Sequence, residues 1–460
     1  ILGEMIMKKF RILTLVAIIV LVFGLVGTAS AQLGDTDISS FTVQNIDSTS
    51  ANVTITFVDE NGVETTPTVL NSGKSNPFTL APGESWEVYV PGIPSNQLPN
   101  GRYSVVIAST AQVVGIANLV GQGSVNYNGS YSGFSSGATT FYLPAAVYNY
   151  FGWYSLISVQ NVGAGPADVT LTITCENGAV GTLTAQNIPL FSSHHFDLET
   201  TTPSGFPSGT SCNGSAMISS DQAVVAVDNQ TSPGNGNTQS FSGVQSGSAK
   251  LYTPALYKNY FGWNSSLNIR KLGSGSTTVT VTYSDSGSST CNLSDSTPGC
   301  LLYMPSVHGA NGYFGATIEA SPSMDLVAVV NAANGAQAQT YNAVGTGTGT
   351  VGIPSLMKSY FGWNTSFTCQ NISASTSTSL NVNYDGYSGN AYNTPSLAPG
   401  QTWEKVTATE GFLPSGFQGG ATITANTGGA EITCIVNFNN GTQMGSTAGD
   451  WSMSYNAFNK

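Results

Sequence analysis

Three stretches of the sequence carry the residue types of active-site chemistry. Gly133-Phe134-Ser135-Ser136-Gly137 has the literal spacing of a serine-nucleophile turn. That turn works only where a strand passes sharply into a helix, and here the surroundings are Ser/Gly-rich with no helical pattern following. His194 and His195 are adjacent and His308 stands apart. Neighbouring residues of a strand point to opposite faces, so the pair does not chelate one ion. Paired acids are sparse, and Asp35 with Asp37 and Asp59 with Glu60 are the ones to weigh. Asp59-Glu60 precedes the turn signal Asn61-Gly62 and reads as a solvated turn rather than a calcium loop. The glycine run from Gly345 to Gly349 lacks the strand–loop–helix setting of a phosphate loop. The expectation is a chain with no catalytic centre, no cofactor and no metal ion.

The remaining reactive side chains are six cysteines. They have no Cys-x-x-Cys or Cys/His cluster spacing, which argues against zinc. Sequence alone permits fifteen pairings. The simplest keeps each pair within one repeat as defined below: Cys175–Cys212, Cys291–Cys300 and Cys369–Cys434. Such bridges imply an oxidising compartment.

The N-terminus agrees with that compartment. Residues 1–6 read as upstream translation before a start at Met7. Lys8, Lys9 and Arg11 form a basic segment, residues 12–26 an apolar run, and Ala29-Ser30-Ala31 a small-residue cleavage site. This is the pattern of a secretory signal peptide over 1–31, removed to leave Gln32 first. No second apolar run of spanning length follows, so no membrane span is expected in the mature chain. The chain has 12 basic and 24 acidic residues, and loss of the leader takes its net charge from −12 to about −14. Nucleic acid is excluded as a partner, because phosphate recognition needs clustered Lys and Arg. Only 8% of residues are charged, against about 25% in ordinary domains. A neutral, hydroxyl-rich surface fits faces buried against copies of the same chain, or faces carrying sugar. Asn-x-Ser/Thr acceptor sites, such as those at Asn52, Asn213 and Asn292, leave glycosylation open.

The elements that must carry these residues are repeats. Tyr150-Phe151-Gly152-Trp153 leads to Val159-Gln160-Asn161, Tyr260-Phe261-Gly262-Trp263 to Ile269-Arg270-Lys271, and Tyr360-Phe361-Gly362-Trp363 to Cys369-Gln370-Asn371. Phe41-Thr42-Val43-Gln44-Asn45 opens a fourth copy without the aromatic lead. Each copy continues with period-2 alternation, as in Val53, Ile55 and Phe57 or Val279, Val281 and Tyr283, which makes a strand with one apolar face. Turn signals close these runs at Asn61-Gly62, Asn177-Gly178, Ser286-Gly287 and Asp385-Gly386. Leu80-Ala81-Pro82-Gly83 with Trp86 recurs as Leu397-Ala398-Pro399-Gly400 with Trp403. The fold expected is all-β: four tandem immunoglobulin-like β-sandwiches over 32–139, 140–249, 250–349 and 350–460. The nine aromatics of the Tyr-Phe-Gly-Trp leads are expected to pack at repeat junctions, with an intradomain corner or a sugar-stacking platform as the other readings.

The proline–aromatic–Gly-Trp lead, the Gln-Asn ending the first strand, the Val-Thr-Val-x-Tyr strand and the Ala-Pro-Gly segment together resemble tandem β-sandwich repeat surface proteins of filamentous, Chloroflexota-type bacteria. The likeness covers nearly the whole mature chain. Repeat 3 departs from it, with Arg270-Lys271 in place of Gln-Asn. What composition and resemblance imply is a non-enzymatic, secreted cell-surface subunit of a filament, sheath or surface layer, with copies of itself as partner, joined head to tail. Repeat 1 lacks the lead of about 13 residues, and the segment from Gln32 and Leu33 through Ile38 to Ser40 is the expected exchanged piece. The alternative is a secreted adhesin or carbohydrate-binding module, using surface glycans as partners and Trp86, Trp403 and Trp451 as stacking faces.

Overall fold

The computed structural model describes residues 19–23, 36–122, 127–232, 236–387, 392–441 and 449–460. Gln32, Leu33 and most of the predicted leader lie outside these residues. The described chain is antiparallel β throughout, with only short helical turns such as Met304–Val307.

Each repeat is a two-layer sandwich. In repeat 3 one layer is ordered Gly299–Tyr303, Asn264–Lys271, Leu326–Ala333 and Ala338–Asn342, and the other Lys250–Lys258, Gly312–Ser321, Thr277–Tyr283 and Ser288–Leu293. Repeats 1 and 4 follow the same plan. In repeat 2 a single strand, Cys212–Ser232, runs through both layers and joins them into one seven-stranded sheet. The alternation seen in the sequence is the cause. Val53, Ile55 and Phe57 are fully buried while Asn52 between them and Ala51 is exposed. Burying each such side chain contributes about 1.5–3 kcal/mol.

The cysteines form three bonds, Cys175–Cys212, Cys291–Cys300 and Cys369–Cys434. Cys369 and Cys434 are direct cross-strand partners within one sheet. Cys291–Cys300 instead ties the edge of one layer of repeat 3 to the edge of the other.

Two features differ from a simple string of modules. The last strand of each repeat, which we call the closing strand, packs against the closing strands of its neighbours. These are Tyr127–Ser132, Asn237–Ser242, Ala338–Asn342 and Ser452–Asn456. Repeat 4 returns onto repeat 1, so the four repeats close around a common axis. The second feature concerns the lead strands Ala138–Tyr148, Lys250–Lys258 and Thr350–Lys358, which pair with Cys212–Ser232, Gly312–Ser321 and Phe417–Ala425. Repeat 1 has no lead of its own. Ile19–Phe23 takes that place, pairing antiparallel with Ser104–Ser109, Leu21 opposite Ile107.

Candidate assembly surfaces and the axial core

The closing strands read Asn128-Gly-Ser-Tyr-Ser, Thr238-Gln-Ser-Phe-Ser, Ala338-Gln-Thr-Tyr-Asn and Ser452-Met-Ser-Tyr-Asn. Their alternation sends one aromatic, Tyr131, Phe241, Tyr341 or Tyr455, into each repeat's own core. The opposite positions carry mainly small hydroxyls and amides, which let four strands approach one another. At one level they form a cycle of hydrogen bonds. Ser242 Oγ donates to the Ser132 carbonyl (2.6 Å), and Asn342 Nδ2 to the Ser242 carbonyl (2.6 Å). Asn456 Nδ2 donates to the Asn342 carbonyl (2.8 Å), and Ser132 Oγ to the Asn456 carbonyl (3.1 Å). Equivalent residues thus repeat one contact four times, the mark of pseudo-fourfold symmetry. A cavity of about 450 Å³ opens beside this level, lined in part by Ser132, Ser242, Asn342 and Asn456.

Asp450 caps the other end of the closing strands. Its Oδ2 accepts the N–H of Thr238 (3.2 Å) and of Ala338 (2.9 Å), and its Oδ1 accepts Ser452 N–H (3.0 Å) and Oγ–H (2.9 Å). Its backbone carbonyl accepts Asn128 Nδ2–H. One fully buried side chain of repeat 4 therefore touches repeats 2 and 3, and its carbonyl touches repeat 1. Burial pushes this carboxyl well above the usual range, against the hydrogen bonds that favour its charge.

The seams between repeats use the Gln-Asn pair found in the sequence. Gln370 Nε2 donates to the Ala316 carbonyl of repeat 3 (3.3 Å), and Gln44 Nε2 to the Ala421 carbonyl of repeat 4 (3.4 Å). Repeat 3's substitute, Arg270, faces Glu176 of repeat 2. The asparagines act inside their repeats. Asn45, Asn161 and Asn371 each donate to two backbone carbonyls of their own repeat, as Asn371 does to Thr376 and Leu397. Lys271 performs that tie in repeat 3 through Gly273 (2.8 Å) and Asp295 (2.6 Å).

One seam position alternates in chemistry because the equivalent strands place different residues there. Glu87 meets Gln418 Nε2 (2.7 Å) between repeats 1 and 4, and Glu404 meets Tyr260 Oη (2.7 Å) between repeats 3 and 4. Burial raises both carboxyls. At the same position in repeat 2, burial pushes His195 down to about 3, with Arg102 and His194 adding to the shift. His195 accepts or donates at 2.9 Å with Ser158 Oγ, while His194 lies on the opposite face, stacked edge-on with Phe196. Beside the first seam, Asp385 bonds Ser85 Oγ (2.9 Å) and burial lifts it to about 6. These acids lie at packed repeat boundaries, each already engaged by a neighbour.

The aromatic quartets are hairpin corners, and those of repeats 3 and 4 also border seams. Tyr150 and Trp153 exchange backbone hydrogen bonds, as do Tyr260 with Trp263 and Tyr360 with Trp363. Between them Phe151, Phe261 and Phe361 have φ of 51°, 48° and 47°, followed by a glycine with φ of 79°, 86° and 86°. Positive φ at both central residues is a type I′ hairpin turn, so each quartet is an intradomain corner. The three phenylalanines are 84%, 86% and 83% exposed. Tyr260 combines the corner with a junction through Glu404 of repeat 4, and Tyr360 lies within reach of the Glu87 charge of repeat 1.

The three tryptophans considered for sugar stacking are half-buried. Trp86 lies under the Lys74 ammonium and against Phe78, Trp403 against Phe367 and Tyr392, and Trp451 beside Trp363. Ile38 belongs to the sheet of repeat 1, opposite Val120, in Thr36–Asn45. Ser135 is exposed in a bend between two strands, and Asp59 accepts the N–H of Asn61 and Val63 across its turn. Among the described residues, no group of three His, Cys, Asp or Glu is placed to hold a metal. No helix among them is long and apolar enough to cross a membrane.

No family model and no curated protein matches the chain. Among solved structures, it is similar to Thermotoga maritima 1070, with 19% identity over 24% of this chain and 94% of that one, at a TM-score of 0.20. It is also similar to a tetra-tandem repeat in the extending region of a large adhesion protein. That match has 12% identity over 96% of this chain and 100% of the other, at a TM-score of 0.12. Neither score reaches a shared whole-chain arrangement. The fold and the axis define a class, a closed set of four β-sandwich repeats stapled by three disulfides.

Proposed function

We propose that this chain is a non-catalytic structural subunit of an extracellular filament, sheath or surface layer, of the kind the resemblance to Chloroflexota-type repeat proteins implies. The observation that carries this reading is how the edge of repeat 1 is covered. Its second layer takes an edge strand, Ile19–Phe23, from the segment read as a removable leader. Beneath that edge lie Val105 and Ile107, both fully buried. Removing the leader exposes an unpaired strand over an apolar core, which is a site for β-strand addition from a neighbouring copy. A contact between unlike surfaces of successive copies does not close, and it propagates a fibre. The low charge, the disulfides and the small hydroxyl side chains support a durable extracellular material. The test is the chain beginning at Gln32, followed by negative-stain microscopy and light scattering as concentration rises. Polymers are expected, and an excess of a soluble peptide bearing residues 19–23 should cap them. A chain that stays dispersed at every concentration, with or without the peptide, would refute the assignment.

A further inference from the structure

The most exposed large apolar side chains in the described residues are Phe151, Phe261 and Phe361; the next, Val63, is 58% exposed. Three observations set them apart. Each sits at a φ near +50°, a conformation unusual for a bulky residue and met in three repeats of the same chain. Each is held edge-on by the preceding tyrosine, with ring centroids 4.7, 4.8 and 4.8 Å apart, so the rings are presented in a fixed pose. All three project from one end of the axis. The strands that follow the turns, Tyr154–Asn161, Asn264–Lys271 and Trp363–Asn371, pair through a neighbour with the start of the closing strand. That start is the Asp450 end. Pseudo-fourfold equivalence therefore puts the three tips at one height, defining a plane across the axis.

We propose that this plane is a contact face for a second copy of the chain, two Asp450 ends meeting phenylalanine to phenylalanine. The inference deepens the structural-subunit reading by naming a second assembly surface, distinct from the strand edge of repeat 1. The area fits a weak, reversible pair of like faces, at the lower limit of a specific contact. A phenylalanine offers about 200 Å², so three tips at this exposure present roughly 500 Å² per face. Two faces bury about 1,000 Å² of the roughly 1,600 Å² typical of a stable pair. Contact between like faces closes as a twofold dimer, whereas strand addition gives an open fibre. The turns contain no charged residue at their four positions, so association should persist in high salt.

The test is the full chain with Phe151→Asn, Phe261→Asn and Phe361→Asn together. Asparagine before glycine is the preferred type I′ pair, so the variant keeps its turns and its melting temperature does not fall. Sedimentation velocity of the unsubstituted chain should show a dimer, weakened about a hundredfold or more in the variant. A variant that dimerises like the parent, or a parent that stays monomeric to roughly 100 μM, overturns the proposal. Loss in the variant of binding to phosphatidylcholine vesicles or to arrayed glycans, with no dimer in the parent, overturns it in favour of lipid or sugar. In chains beginning at Gln32, a dimer that forms without fibres would refute strand addition and leave this face standing.

Discussion

Asp450→Ala is the sharpest perturbation of the axis. The carboxylate receives three backbone N–H groups, from Thr238, Ala338 and Ser452, and all three residues are buried or nearly so. A buried donor left without an acceptor costs about 1–3 kcal/mol. Truncation leaves room for about one water, which can satisfy part of the set. The expected loss is therefore about 3–6 kcal/mol, large against the roughly 5–15 kcal/mol of a typical fold. The replaced group also couples repeats 2, 3 and 4, so urea unfolding should broaden or split as the repeats melt separately. Trp451, the next residue, reports this through its fluorescence. Asp450→Asn keeps the shape and one acceptor and should lose about half as much. A loss under about 1 kcal/mol for alanine, with the transition still sharp, would refute the reasoning that this acid joins the repeats.

Other outcomes follow from the same structure. Removing Cys369–Cys434, separated by 65 residues, should cost about 4 kcal/mol, and removing Cys291–Cys300, separated by 9, less, as measured by urea midpoints of the Cys→Ala pairs. Stability should rise as pH falls from 7 toward 5. Burial raises the carboxyls of Asp228 to about 7 and Asp385 to about 6, so the folded chain binds protons the unfolded chain does not. That contribution is complete below the unfolded value near 4 and is lost as pH climbs through 6 to 7. His195, pushed down to about 3, works in the opposite sense below about 6.5, so His195→Gln should steepen the gain on acidification. A melting temperature flat between pH 7 and 5 in both proteins would contradict these signs. Gln370→Ala should lose about 1–3 kcal/mol, because the amide bonds carbonyls of two repeats within a buried seam. Double substitution with Ala316→Gly, which leaves that carbonyl in place, should be additive, and strong non-additivity would point to a different role for the amide.

The sandwich fold was legible because burial in a two-layer sheet writes a period of two into each strand, and four copies wrote it in the same order. The closure of the repeats was not legible. Ser130-Tyr131-Ser132 and Ser240-Phe241-Ser242 have the alternation of a strand with one wet face, yet that face meets other closing strands. A small hydroxyl against a neighbouring carbonyl has the same sequence as a hydroxyl against water. Gln44, Gln160 and Gln370 were visible as a recurring residue, but for Gln44 and Gln370 the partner lies in another repeat, beyond any local pattern. For the aromatic quartets the sequence left the corner as one of three readings. Large apolar residues suggest packing, whereas these phenylalanines occupy turn positions that Asn usually holds, and only the backbone angles reveal it. Trp86, Trp403 and Trp451 are half-buried against aromatic partners that no local pattern of the sequence shows.

The central claim is that four repeats close around one axis, and small-angle X-ray scattering on the dilute Phe→Asn triple variant tests it most directly. Compact packing of a chain this long gives a radius of gyration of roughly 23 Å. An open row of four sandwiches, each about 40 Å long, gives roughly 45 Å or more. A value near the first supports the closed arrangement, and a value near the second contradicts it.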